Sequence, residues 1–278
     1  MFFLNIVLTV LTFSVYILPF LAPKSFPLLS VLTLFMPAFF VANGLFFVYW
    51  AIQFKKRLIL SGLVLLTGIT FISKFYKFSA KEYIHGEKDF SVMSYNVRLA
   101  SANDGENNWD IRKEKVAELI GYYEPDFLGM QEVQKVQLDY LLENLPQYQF
   151  IGLPREEGIH AEYSCIFYNA EKFKVLEYKT FWLSETPNEM SKGWDAACHR
   201  IVTYGLFQDK KSKQKFWIAN THLDHMGMKA REESAKMLVD LAKDLKAQKD
   251  IPFILTGDFN AEPDDKVIMM LKESLREA

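Results

Sequence analysis

Hydrophobic and polar positions divide the chain into two regimes. Over residues 1–78 apolar side chains run almost unbroken, in three stretches: Phe2–Leu21, Leu28–Phe54 and Leu58–Ile72. The first two reach the ~20 residues that cross ~30 Å of hydrocarbon. The third is shorter and extends through Phe75, Tyr76 and Phe78, with Lys74 and Lys77 reaching back towards the polar interface. A polar linker at 79–88 follows, and then the periods shorten. Phe90–Asn96 alternates at period two and reads as a strand ending at Asn96. Trp109–Tyr122 spaces Ile111, Val116, Leu119 and Ile120 as a helix does. Further strands are predicted at 127–132, 148–152, 163–168, 173–183, 199–208, 214–221 and 252–256. The pair 163–168 and 173–183 is predicted to fold back about Asn169-Ala-Glu-Lys. Helices are predicted at 134–144, 229–247 and 266–277. Strands mixed with hairpins and helices make residues 89–278 a mixed α/β domain.

Charge sharpens the division. Residues 1–78 contain no Asp or Glu and carry a net +6, while the remainder holds all 34 acidic residues and a net −8. A soluble core would not run so far without a carboxylate. A cleaved signal peptide is disfavoured because Phe2–Leu21 lacks a positive start and a small-X-small cleavage site. The expectation is a region of about three helices in the lipid bilayer, a multi-pass cell-membrane anchor. Lys55-Lys56-Arg57 is the densest short basic loop and is expected on the cytoplasmic side. Three spans then place residues after 78 outside the cytoplasm, although Lys74, Lys77 and Lys81 pull the other way. The −8 charge opposes a sequence-blind grip on nucleic acid, which needs many cationic contacts to phosphate. Cys165 lies in an apolar run and is expected as a buried thiol; nothing requires it to pair with Cys198.

Candidate chemistry gathers where apolar runs stop. Ile254-Leu-Thr-Gly257-Asp258-Phe-Asn260 is an apolar run into Gly-Asp-X-Asn, which would leave Asp258 and Asn260 on one side of an emerging strand. Gly, Asp and Asn also make the commonest turns. The same position at other strand ends is held by Asn96, Glu132, Glu162, Asn220, His222 and Asp224. Carboxylates and amides with one imidazole suit a hard cation, Mg²⁺ or Mn²⁺, rather than structural Zn²⁺.

Ser94-Tyr-Asn96-Val-Arg, Gln131-Glu132-Val, Asn220-Thr-His222-Leu-Asp224-His and Gly257-Asp258-Phe-Asn260 resemble, in order and spacing, the motifs of the endonuclease/exonuclease/phosphatase superfamily. The resemblance covers roughly residues 89–263. It implies a deoxyribonuclease I-like two-sheet sandwich flanked by helices, and metal-dependent cleavage of phosphate esters. It also implies roles. Glu132 and Asn96 serve the metal, Asp258 orients or activates the attacking water, and Asn260 holds a phosphate oxygen. His222 contacts the scissile phosphate, and Glu162 pairs with that imidazole. Asn220, Asp224 and Arg200 are weaker candidates for substrate phosphate. The substrate is expected to be a phosphodiester: nucleic acid, lipid headgroup or small phosphoester. No obligate protein partner is evident.

The family's closing Ser-Asp-His motif has no counterpart here. Eighteen residues follow Asn260, with no histidine among them. A chain lacking its final motif, and poorly active for that reason, is therefore expected. The rival reading is a catalytically impaired membrane protein that binds phosphorylated ligands.

Overall fold

The computed structural model describes residues 1–18, 31–75, 89–101, 103–248 and 251–276. The expected linker at 79–88 and the ends of the first two apolar stretches lie outside the described residues. The chain divides into two units, Met1–Ile84 and His85–Ala278.

The first unit contains α1 (Phe2–Ile17), α2 (Met36–Ile52) and α3 (Leu58–Phe75). Its interior holds bonded polar side chains beside a small apolar cluster of Val15, Tyr16, Met36 and Val64. Asn5 Nδ2 donates to Ser61 Oγ at 2.7 Å, Trp50 Nε1 donates to Asn5 Oδ1 at 3.0 Å, and Asn43 Nδ2 donates to Thr12 Oγ1 at 2.9 Å. Its surface is apolar, with Phe3, Leu45, Leu63 and Leu66 exposed. With its preceding 3₁₀ turn, α2 forms the one described helix, Leu32–Ile52, long and apolar enough to cross a membrane; α1 is shorter, as is the Leu58–Thr70 part of α3.

The second unit comprises two four-stranded sheets. Its strands are β1 (Val92–Asn96), β2 (Phe127–Gln131), β3 (Val133–Gln134), β4 (Tyr148–Ile151), β5 (Glu162–Tyr163), β6 (Ile166–Asn169), β7 (Phe173–Trp182), β8 (Ile201–Asp209), β9 (Lys215–His222) and β10 (Phe253–Asp258). One sheet has the order β1-β2-β6-β4, the other β10-β9-β8-β7, and β3 pairs with β5 beside them. Helices α4 (Trp109–Tyr123) and α5 (Lys135–Asn144) cover the first sheet through Val116, Ile120, Leu138 and Leu141. Helices α6 (Met228–Gln248) and α7 (Lys266–Lys272) cover the second through Ala235, Leu238, Val267 and Leu271.

A layer of phenylalanines fills the space between the sheets. The Phe127 ring lies 4.7 Å from Phe173, 4.9 Å from Phe207 and 5.3 Å from Phe216, centre to centre. Towards the catalytic end the sheets close further, because β2 carries Gly129. A Cβ there would stand 2.2 Å from Thr256 Oγ1 and 2.7 Å from Asn220 Oδ1.

Three sequence expectations change. The predicted strand pair about Asn169 is a crossover between sheets: β6 bonds to β2 and β4, while β7 bonds to β8. Asn169 Oδ1 accepts from the Glu171 and Lys172 amides, so the turn is self-capped and imposes no hairpin. The predicted strand 163–168 breaks at Ser164-Cys165, where β5 leaves to pair with β3. Helix α4 buries Trp109, Val116 and Ile120 but leaves Ile111 60% exposed, since Trp109 takes the inward position at the first turn.

Candidate active site

Strand ends build the site. β1 and β2 run parallel, as do β9 and β10, so Asn96, Glu132, His222 and Asp258 emerge at the carboxyl ends of their strands. Asn96 Nδ2 donates to Glu132 Oε1 at 2.8 Å and to Asp258 Oδ2 at 2.9 Å. One amide thus joins carboxylates delivered by different sheets. Glu132 adopts a left-handed backbone, φ 60°, at the step from β2 to β3, and Leu99 N donates to its Oε2 at 3.1 Å.

Gly257 is required because a Cβ would meet Thr221 O at 2.7 Å, where β10 presses on β9. Asp258 is still on the strand, opposite His222. Asn260 then turns the chain at φ 46°, its N–H donating to Asp258 Oδ1 at 3.1 Å. The sequence offered a turn or a functional pair, and the turn is present. A turn, rather than strand alternation, brings the two side chains together. Asn260 Nδ2 donates to Leu223 O at 2.9 Å, which fixes the amide's orientation. The same Nδ2 lies 3.0 Å from His222 Nε2, so that nitrogen accepts and the ring proton sits on Nδ1. Asp258 Oδ2 stands 3.8 Å from Nε2, beyond hydrogen-bond range.

Burial, reinforced by the Arg200 guanidinium, pushes the His222 imidazole down to about 4, so it is neutral at pH 7. Burial opposes ionisation of Asp258, but the Asn96 amide, the Asn260 N–H and His222 outweigh it and hold its carboxyl below the usual range.

Four other expected residues are placed elsewhere. Asn220 is fully buried between the sheets. Its Nδ2 donates to Met130 O and Cys165 O at 2.8 and 2.9 Å; its Oδ1 accepts from Gln131 Nε2 at 2.7 Å and Thr256 Oγ1 at 3.1 Å. All four of its positions are used, so it clamps the sheets together and offers nothing to a phosphate.

Asp224 is buried and accepts from the amides of Ala197, Cys198, Met226 and Gly227, and from Arg200 Nε at 3.2 Å. Burial would raise its carboxyl, but these amides hold it far below the usual range. It organises two loops. Arg200 is buried against Asp224, and its Nη2 lies 3.1 Å from His225 Nδ1.

Glu162 does not pair with His222. Its Oε1 accepts from Arg155 Nη2 at 2.8 Å, and burial, only partly offset by that arginine, raises its carboxyl. Sequence reasoning quoted Gln131 only within a motif and passed over Arg155 and Thr256. Their loop and mid-strand positions carried no signal of the partners they hold.

Comparison with known proteins agrees with this geometry. Residues 93–274 match the endonuclease/exonuclease/phosphatase family. The chain belongs to that family. Residues 1–75 match a separate domain of unknown function. A mannosyl-6-phosphatase from Bacteroides thetaiotaomicron is similar in structure, with a TM-score of 0.64 and 39% identity over 66% of this chain and 70% of that one. The catalytic domain of human Nocturnin with bound sulfate gives 0.55 and 25%, over 65% and 68%. An uncharacterised protein, L388 of Acanthamoeba polyphaga mimivirus, is 32% identical over 168 residues, covering 58% of this chain and 61% of that protein. The chain thus spans about three fifths of that relative, and 44% of full-length human Nocturnin.

Members of the endonuclease/exonuclease/phosphatase family are generally divalent-metal dependent, and the site fits such an ion. Neither Glu132 nor Asp258 forms a salt bridge to Lys or Arg among the described residues. They share only a neutral amide, which leaves their negative charge uncompensated, and Asp258 lines a cleft of about 700 Å³ with Asn96 and Asn260. A purely oxygen donor set favours a hard cation. The described cluster of Cys198, Asp224 and His225 is a poorer holder. Asp224 there is saturated by backbone amides, and a guanidinium already occupies the neighbourhood.

Proposed function

We propose that this chain is a metal-assisted phosphoester hydrolase held at a membrane by its N-terminal helices. The observation that carries the reading is the convergence of Glu132 and Asp258 on one Asn96 amide beside a neutral imidazole. Glu132, with Asn96 and Asp258 beside it, would hold Mg²⁺ or Mn²⁺, which when bound neutralises charge on the phosphate and lowers the pKa of water. Asp258, ionised and partly exposed, orients the attacking water. Asn260 and His222 face the phosphate. A phosphate anion brought near His222 would raise its proton affinity. The similarity to a mannosyl-6-phosphatase, and the −8 charge of the region after residue 78, support a small or lipid-borne phosphoester over a nucleic acid.

The membrane part rests on the inverted composition of the first unit. Asn5, Thr12, Asn43 and Ser61 bond inside, beside a small apolar cluster, while Phe3, Leu45, Leu63, Leu66 and many other large apolar side chains cover the outside, more than a water-soluble bundle would expose. Three spans with a cytoplasmic Lys55-Lys56-Arg57 loop would put the hydrolase domain outside the cytoplasm, against the pull of Lys74, Lys77 and Lys81.

The test is divalent-dependent hydrolysis of mannose 6-phosphate, phosphatidic acid and plasmid DNA by the full chain, with Glu132→Gln and Asp258→Asn beside it. Each variant is expected to lose roughly 10³-fold in kcat/KM while remaining folded. Metal-independent turnover, or full activity in either variant, defeats the proposal.

A further inference from the structure

The catalytic end of the second unit has an apolar rim. The loops between β4 and β5, between β7 and β8, and between β9 and α6 all open at the end where Asp258 and Glu132 emerge. Hydrogen bonds join the three loops into one block. Trp182 Nε1 donates to Arg155 O at 2.8 Å, His199 Nδ1 lies 3.3 Å from Glu156 Oε2, and Asp195 Oδ1 accepts from Ala230 N at 2.7 Å. On this block stand Leu153, Ile159, Met190, Met226 and Met228, with Ile159 83%, Met226 71% and Met228 65% exposed.

The charges between these side chains are of the wrong sign for a polyanion. Residues 152–161 and 183–200 carry five acids, against Lys192 and two arginines already paired to Glu162 and Asp224. A nucleic-acid groove is basic. Unbranched methionine side chains adapt to irregular apolar partners such as acyl chains.

We infer that this rim docks on a zwitterionic bilayer surface, so that the site acts on phosphoesters borne by lipids. This rests on the phosphoester-hydrolase reading above and names its substrate class. A bilayer is the occupant favoured because the same chain carries the apolar-skinned helical unit. The acidic charge among the apolar side chains favours zwitterionic over anionic lipid.

The test uses the full chain in phosphatidylcholine nanodiscs, in a Cys198→Ser background. A fluorophore placed through Ile159→Cys is compared with one placed through Tyr122→Cys, at the far end of α4. Brominated lipid is expected to quench the label at 159 at least threefold more than the label at 122. Equal quenching, stronger quenching at 122, or none at either overturns the inference.

In a second arm, Ile159→Glu and Met228→Glu are expected to lower hydrolysis of disc-borne phosphatidic acid at least tenfold. Hydrolysis of soluble mannose 6-phosphate should stay within twofold. Equal loss on both substrates, or on neither, overturns it. If no phosphoester is cleaved by the wild-type chain, the hydrolase reading fails, and quenching still decides the docking.

Discussion

Asn220 separates a structural role from a phosphate-binding one most sharply. Replacing it with Ala removes four hydrogen bonds, to Met130 O, Cys165 O, Gln131 Nε2 and Thr256 Oγ1. Three of those partners keep another bond. Gln131 Nε2 still reaches Ser94 Oγ and Gly129 O, Thr256 Oγ1 still reaches Ala219 O, and Cys165 O still accepts from Met130 N. The penalty is therefore nearer to four ordinary net bonds, ~1 kcal/mol each, than to four stranded groups. A small void adds to it. Asn220→Ala is expected to cost about 4 kcal/mol. Asn220→Asp should cost at least as much, because it turns an acceptor oxygen towards two carbonyls. Urea unfolding followed by circular dichroism measures both, with KM determined on the folded enzyme. A loss below about 1 kcal/mol accompanied by a raised KM would refute the clamp and restore Asn220 to the substrate.

Other outcomes follow from the same geometry. His222 binds its proton less readily in the folded chain, near pH 4, than its ordinary value of 6.5. The unfolded chain is then the more protonated between those values, so stability falls as pH drops through that window, by about 3 kcal/mol. The difference in melting temperature between wild type and His222→Gln, measured from pH 7 to 4, should show this, and parallel curves would contradict it. Asp224→Asn leaves Arg200 buried without its counter-charge and should cost about 3–5 kcal/mol in urea unfolding; an unchanged midpoint would dismiss Asp224 as the organiser of its loops. Burial raises the Cys165 thiol, so iodoacetamide at pH 8 should modify Cys198 and spare Cys165 until denaturant is added, as peptide mapping would report.

The four residues that converge at the cleft end of the sheets were legible in the sequence because strand ends announce themselves. Asn96, Glu132, His222 and Asp258 each close an apolar run, and the structure gathers all four. Asn220 closes such a run too, but whether an alternating position faces the cleft or the partner sheet depends on which sheet lies opposite, and sequence does not state that. The expected pairing of Glu162 with His222 fails for a similar reason. Arg155 lies seven residues before it in a loop without period, yet a bridge between Pro154 and Tyr163 folds that loop back on itself. The crossover at Asn169 is the same kind of case. A tight turn looks like a hairpin whenever apolar runs flank it, and only the pairing of β7 with β8 shows that the chain has changed layers.

The Asn96 bridge has one further consequence. Its two carboxylates belong to separate sheets, so the gap between them is set by how the phenylalanine layer fills the interior rather than by any local loop. Turnover should therefore behave as a gauge of sandwich thickness. Thinning the layer at Phe207 or Phe216 would alter the rate by changing the distance that the amide has to span.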